Sequence, residues 1–450
     1  MSDASLSPLT FDTICARLTS ANLSASARYP GDSNQVQPVH TMYGGAHLFT
    51  AEVVTRMRVA AITAFHEYAP DAAALAAAFG LTPELAARVH PRVEAKLAST
   101  PVEDFRIDFE DGFGHRADTE EDRFALKAAD EVAAAHAQGT LPAGIGIRIK
   151  TLNEELKRRS LRTLDLFLTR LLSRTGRELP SGFTITLPKI TAPAQVAALA
   201  DALDAIEAAQ HLPAGVLRIE LMVETTQSIY SADGTVALPA LIVAGRGRVV
   251  GAHFGTYDYT AGLSITAAHQ HMRHAACDFA KHVMQVALAG SGIHLSDGAT
   301  HILPVGPHRG AAGTSLTEAQ RRDNREVVHR AWRLHAENIR HSLVGGFYQG
   351  WDLHPAQLPS RYVAVYVFFL EGLAPAAARL HNFVAKAAQA TLVGDVFDDA
   401  ATGQGLLNYF LRAMACGAIS ETEAVGMSGL SLDELRGRSF LKILNGRAAR

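Results

Sequence analysis

Short runs rich in Ile, Val, Leu and Phe recur along this chain, and each is followed by an Ala/Leu-rich stretch of helical period. Parallel strands need a crossover of a dozen or more residues between them, usually a helix, so the alternation predicts β/α units. Candidate strands lie at 39–43, 104–109, 144–149, 183–187, 217–223, 248–254, 301–305 and 342–348, and the clearest returning helices at 119–138, 156–174, 192–209 and 267–289. Eight such units close a (β/α)8 TIM barrel. An open doubly wound sheet shares the alternation, but no Gly-x-Gly-x-x-Gly follows the first strand. The expected fold is α/β: a barrel over residues 1–358 with a helical insertion at about 51–100, then a helical extension over 359–450.

Charge narrows the partners. The 42 basic and 45 acidic residues are well mixed, for a net charge of −3, so no field of one sign attracts nucleic acid or anionic lipid. Small molecules are the expected ligands. Three cysteines, Cys15, Cys277 and Cys416, are too few and too scattered for a disulfide framework and point to a reducing, cytoplasmic setting. The N-terminus has no basic stretch followed by an apolar core, so no secretory signal is expected. No membrane span is expected either: the most apolar run, 362–370, falls short of the roughly 20 residues required.

In a barrel of this kind the active site forms where strands end and the following loops begin. The second strand ends Arg106-Ile107-Asp108-Phe109-Glu110-Asp111, with Asp108 and Glu110 on one side because side chains alternate. The third ends Arg148-Ile149-Lys150 with Asn153 beyond, the fourth reaches Lys189, the fifth Glu224, and the sixth Thr256 and Asp258. Glu224 and Asp258, on neighbouring strand ends, would face one pocket. Two bare carboxylates side by side repel unless one takes a proton or a cation intervenes. An oxygen-only pair with room for water suits Mg²⁺ better than zinc. Acids at strand ends also cap helices and pair with basic residues, but five strand ends of one polarity converging favour a site.

Taken together and in order, Asp108-Phe109-Glu110-Asp111, Arg148, Leu187-Pro188-Lys189, Val223-Glu224-Thr225, Phe254-Gly255-Thr256-Tyr257-Asp258 and His354-Pro355-Ala356-Gln357 resemble a known family. It is the HpcH/HpaI aldolase and citrate lyase β-subunit group, which includes malyl-CoA lyase, of the phosphoenolpyruvate/pyruvate barrel superfamily, with malate synthase as a cousin. The resemblance runs from about residue 39 to 357. It implies a metal-dependent enzyme that cleaves or forms a carbon-carbon bond beside the carbonyl of a 2-oxo acid or an acyl-CoA, through an enolate. It also implies Glu224 and Asp258 as ligands of Mg²⁺ (Mn²⁺ suits the same oxygens), Arg148 as the cation on the substrate carbonyl, and Asp108 and Glu110 as the acids that orient it. Lys150, Lys189, Thr256 and His354 are the expected substrate contacts, and a homo-oligomer is expected. The departures are Lys150 in place of the asparagine of the lyases' Arg-x-Asn, and Tyr43-Gly44-Gly45-Ala46 in place of the usual Pro-Gly or Pro-Ala. They suggest a divergent branch and leave a CoA substrate open. A malate-synthase-like condensation, phosphoryl transfer from phosphoenolpyruvate, and a binding module without turnover are the alternatives.

Other features weigh less. His269, His271 and His274 do not share one helical face, which argues against zinc. The loop 306–313, with Arg309, sits after the seventh strand where barrels bind phosphate, but lacks the Lys-Ser/Thr of a P-loop. Asp352 reads either as a base or as a helix cap. The tail acids Asp395, Asp398 and Asp399 are further candidates for a base.

Overall fold

The computed structural model describes residues 5–31, 36–310, 315–385, 391–393, 396–398 and 400–448. Eight parallel strands close a barrel in sequential order: β1 (His40–Gly45), β2 (Asp104–Asp108), β3 (Gly144–Arg148), β4 (Thr184–Leu187), β5 (Arg218–Val223), β6 (Val249–Phe254), β7 (His294–Ala299) and β8 (Gln349–Asp352). Helix α1 (Pro8–Arg28) precedes β1, and α2 (Val53–Tyr68), α3 (Ala72–Phe79) and α4 (Pro83–Ser99) separate β1 from β2. The helical insertion thus holds three helices. The middle one starts at Asp71, whose carboxylate accepts from Ala74 N, and stops at Gly80 in the left-handed conformation.

The returning helices are α5 (Asp118–Gln138), α6 (Lys157–Arg174), α7 (Pro193–Gln210), the short α8 (Thr226–Ile229), α9 (Leu238–Ala244) and α10 (Thr256–Gly262), then α11 (Ala275–Leu288) and α12 (Glu318–Val344). After β8 come α13 (Leu358–Ala385), a two-stranded antiparallel ribbon of β9 (Thr391–Val393) and β10 (Val396–Asp398), and α14 (Ala400–Ala415), α15 (Glu421–Ser428), α16 (Leu432–Arg436) and α17 (Phe440–Ala448). Helix α13 packs against α12 and α4, the outer-layer place that follows the eighth strand. The segment Pro355–Val384 is, contrary to expectation, long and apolar enough to cross a membrane, with mean hydropathy 1.5, but most of its apolar window is buried.

Two strands were misplaced by sequence. Residues 301–305 are irregular, with Ile302, Leu303 and Val305 exposed; the seventh strand lies earlier, at His294–Ala299. Its Asp297 is buried and paired with Lys281 at 2.9 Å, which hides the strand behind a polar sequence. Likewise 342–344 complete α12, and Gly345 and Gly346 turn the chain into a β8 whose Gln349 and Asp352 are buried polar residues.

The outer face of the strands is aliphatic. Ile107, Ile147, Ile185, Ile219 and Leu221 join Leu164, Phe167, Leu199 and Leu203 of the surrounding helices in one fully buried core. The barrel interior is ionic. Arg106 reaches Asp104 at 2.5 Å and Glu220 at 2.7 Å, His253 Nε2 lies 2.9 Å from Glu220, and Thr186 donates to Glu220 at 2.7 Å. Gly146 opposes this crowd: a Cβ there would lie 1.9 Å from Thr184 O.

Burial opposes the charge on Glu220, but Arg106 and His253 overcome it and hold the carboxyl far below its ordinary 4.5. Its stabilisation is therefore present above that value and is lost as pH falls from there toward the folded pKa. Glu220→Gln leaves Arg106 with Asp104 as its one remaining carboxylate among the described residues and should cost roughly 3–5 kcal/mol at pH 7. Urea midpoints check this, and the gap between wild type and variant should narrow as pH is lowered below about 4.5.

Candidate active site at the carboxyl ends of the strands

Strand β2 alternates, with Phe105 and Ile107 outward and Asp104, Arg106 and Asp108 inward, so its last residue enters the mouth of the barrel. Asp108 accepts backbone hydrogen bonds from Glu110 N at 2.9 Å and Gly112 N at 2.7 Å. Gly112 allows this, since a Cβ there would sit 2.5 Å from Oδ2. Arg148, paired in register with Asp108, closes a bidentate fork on it, Nε at 2.7 Å and Nη2 at 2.5 Å. Its Nη1 lies 3.3 Å from Glu110, and its guanidinium carbon is 5.1 Å from the centre of the Tyr43 ring. Burial disfavours this cation, but Asp108 outweighs it and drives the pKa up, so Arg148 stays charged.

Lys189 follows β4 in the left-handed region, φ 49°, and its placement is unusual for a side chain of that size. Its ammonium is 2.5 Å from Glu110, 3.1 Å from Asp111 and 3.5 Å from Asp258, while its backbone N–H donates to Glu224 at 2.8 Å. Glu224, at the end of β5, is buried; Asp258, in the first turn of α10, is half exposed. Gly255 passes beneath Glu224, where a Cβ would come within 2.5 Å of Oε2. Burial pushes the Glu224 carboxyl up to about 7, with Lys189 lowering it and Asp258 raising it. Burial likewise raises Glu110 to about 6 against the charge of Arg148. For Asp111, burial is outweighed by the hydrogen bond with Glu110 and by Arg148 and Lys189, and its carboxyl is lowered.

Among the described residues, no three His, Cys, Asp or Glu side chains gather as a metal cage. Glu224 and Asp258 nevertheless fit a Mg²⁺ ion, which binds through one or two carboxylates and keeps waters or substrate oxygens for its other positions. The buried, raised Glu224 carboxylate is the group that a divalent cation would relieve. Lys189, engaged with Glu110 and Asp111, also lies 3.5 Å from Asp258 and feels the charge of Glu224, so its ammonium shares that space.

The other expected contacts are placed differently. Lys150 turns from the mouth: its ammonium donates to Phe109 O at 2.7 Å and lies 3.4 Å from Glu121 on α5. Thr256 begins α10 with its hydroxyl buried and unpartnered, in the space left by Gly298. His354 caps the turn at Pro355–Gln357, its Nδ1 accepting from Ala356 N at 3.1 Å; burial, then Arg309, lowers its pKa. Asp352 is not available as a base. It points outward to Arg361 at 2.9 Å and His335 at 3.0 Å, and although burial opposes its charge, Arg361 and His335 hold it far below the carboxylate range. His274 caps α11, and His269 ends a short turn. Gly306 to Gly310 are described, and His308 pairs with Asp323 at 2.6 Å, but Ala311, Ala312 and Gly313 lie outside the described residues. So do Asp395 and Asp399 and the side chain of Asp398. Sequence reading missed Tyr43 and Trp351, inward-facing aromatics stacked with centroids 4.6 Å apart. The signal for Trp351 was masked by placing the eighth strand too early.

A proton on Glu224 competes with a divalent cation. Mg²⁺ should therefore raise the melting temperature more at pH 8 than at pH 5.5, with affinity falling about tenfold per pH unit below about 7. Differential scanning fluorimetry across pH checks this, and Glu224→Gln should remove the pH-dependent part.

Comparison with known proteins adds a family and a fold. No curated protein matches the sequence. The barrel is similar to that of a citrate lyase from Burkholderia xenovorans LB400, at 17% identity over 87% of this chain and 96% of that one, with a TM-score of 0.55. Identity this low shows a shared fold. Haloferax volcanii malate synthase in its magnesium/glyoxylate complex aligns over 90% of this chain and 96% of its own, at 13% identity and a TM-score of 0.45. A family model described as a domain of unknown function, DUF6986, matches residues 18–443. Spanned almost end to end by that model, the chain belongs to the DUF6986 family.

Proposed function

We propose that this protein is a Mg²⁺-dependent carbon-carbon lyase or aldolase acting beside the carbonyl of a 2-oxo acid or an acyl-CoA. The observation that carries the reading is the Arg148 guanidinium, clamped on Asp108 by two bonds at the rim that Glu224 and Asp258 also face. Cleavage or formation of such a bond places negative charge on the carbonyl oxygen, and a cation held in advance lowers the barrier because nothing need reorganise as charge develops. Arg148 suits this role since it keeps its proton and its Nη1 lies at the strand ends, 3.3 Å from Glu110 and 3.7 Å from Asp111. A divalent ion on Glu224 and Asp258 would supply Lewis acidity and hold the substrate's carboxylate and carbonyl oxygens together. Lys189, ion-paired with Glu110 and Asp111, fixes those acids and adds positive charge along the edge where a substrate carboxylate would enter. Glu110, raised to about 6, is suited to exchange a proton near neutrality.

The test is a screen for release or consumption of pyruvate, oxaloacetate, glyoxylate or acetyl-CoA with and without Mg²⁺. Turnover should require the ion and vanish in Glu224→Ala and Asp258→Ala. Arg148→Lys should lower kcat by about 10²–10³, because lysine cannot form the fork. Metal-independent turnover, or full activity in Glu224→Ala, overturns the reading.

A further inference from the structure

Helix α14 has two distinct faces. Leu407, Phe410 and Ala413 are fully buried, and α14 packs on α13. A second stripe, Gln404, Asn408, Leu411, Arg412 and Ala415, runs along another side at helical spacing and is mostly polar. Such a stripe ordinarily faces open water. Here it closes a cavity of about 660 Å³, and small-molecule pockets run from roughly 300 to 1,000 Å³. Val39, His294 and Tyr348 also line it, which places it at the amino ends of β1, β7 and β8. None of Asp108, Arg148, Lys189, Glu224 and Asp258 lines it, so it is separate from the candidate active site.

The wall opposite α14 is apolar: Leu288 of α11, Leu295 of β7, Leu343 of α12, and Val365 and Phe369 of α13. Arg412 stands against that wall. Its guanidinium carbon lies 4.4 Å from the centre of the Tyr348 ring, and its Nη1 donates to Gln37 Oε1 at 2.7 Å. Gln37 is itself fixed, because its Nε2 donates to Leu295 O at 2.9 Å and to Gln349 Oε1 at 3.1 Å. Both partners that orient Arg412 are therefore neutral. A guanidinium carries five N–H donors, and one bond to Gln37 leaves most of them for another acceptor. Arg438 and Lys442 add positive charge to the lining, and no Asp or Glu is among the described residues that line the cavity. An oriented cation beside an apolar wall complements an anion attached to a hydrocarbon chain. The guanidinium, held over Tyr348, presents a planar fork, and the head group that matches a planar fork is a carboxylate.

We propose that this cavity binds a free monocarboxylate with an apolar chain, its head on Arg412 and its chain along Leu295, Leu343, Val365 and Phe369. This site does not rest on the function proposed above, since no residue of the strand-end rim takes part in it.

Calorimetry in EDTA, which keeps divalent ions off the rim, tests the site with octanoate, butanoate, 1-octanol, octylammonium and octyl phosphate. Octanoate should bind once per chain, and butanoate at least tenfold more weakly because less apolar surface is buried. Octanol, which lacks the charge, should bind about ten- to a hundredfold more weakly, the worth of a charge-assisted hydrogen bond, and octylammonium should not bind. Arg412→Met keeps an apolar stem beside Tyr348; it should lose about ten- to a hundredfold in octanoate affinity while its affinity for octanol changes less than threefold. Photolabelling of wild type by octanoate carrying a diazirine at its chain end should mark α12 and α13, a readout that needs no variant. Octanol or octylammonium binding as tightly as octanoate, unchanged octanoate affinity in Arg412→Met, labels confined to the strand-end rim, or no octanoate binding overturns the inference. Tighter binding of octyl phosphate than of octanoate overturns the carboxylate assignment. Each of these failures leaves the proposed lyase reading standing, because that reading is tested with Mg²⁺ and 2-oxo acids at the other end of the barrel.

Discussion

Arg106 in the middle of the barrel is the charge around which the rest is arranged. A guanidinium with almost no exposure is tolerable only when its partners are complete, and Asp104, Glu220 and Thr186 supply them from three other positions on the inner wall. Because removing one member leaves a buried charge uncompensated, such a network restricts which strands can be neighbours and in what register. Where many barrels fill this layer with branched aliphatics, this one uses hydrogen bonds with defined directions. Tyr43 stands at the top of the network, with its hydroxyl toward Glu220 and His253 and its ring against Arg148 and Trp351.

The candidate site is built on that floor by the same rule. Each charge at the rim has an opposite charge close by: Arg148 on Asp108, Lys189 on Glu110 and Asp111. Glu224 departs from this. It receives a backbone N–H from Lys189 and the electrostatic influence of its neighbours, but its burial still leaves it reluctant to ionise. A carboxylate so placed next to a second one is the feature on which the proposed metal site rests.

Much of this could be read from residue order. The alternation of apolar runs and helical stretches located six of eight strands, and polar residues just past those runs located Asp108, Arg148, Lys189, Glu224 and Asp258 together at one rim. The two misplaced strands failed for one reason: Asp297, Gln349 and Asp352 are buried with polar partners on other helices or strands, so β7 and β8 lack the apolar signature of a buried strand. Lys150 failed for another. Two residues past Arg148 on the strand's line it should share a side, but the strand has ended, and Phe109 O and Glu121 draw it under the loop.

The order of residues was enough to establish the barrel, the end of it where acids and cations gather and the residue types available there, because periodicity and strand-end position depend on local geometry. Which face of β2 turned inward, that Asp352 pairs with Arg361, and that Trp351 Nε1 has no acceptor among the described residues were settled by folding. Such outcomes depend on tertiary contacts, many between distant positions, such as Gln349 with Thr41, whose partners no local pattern can name.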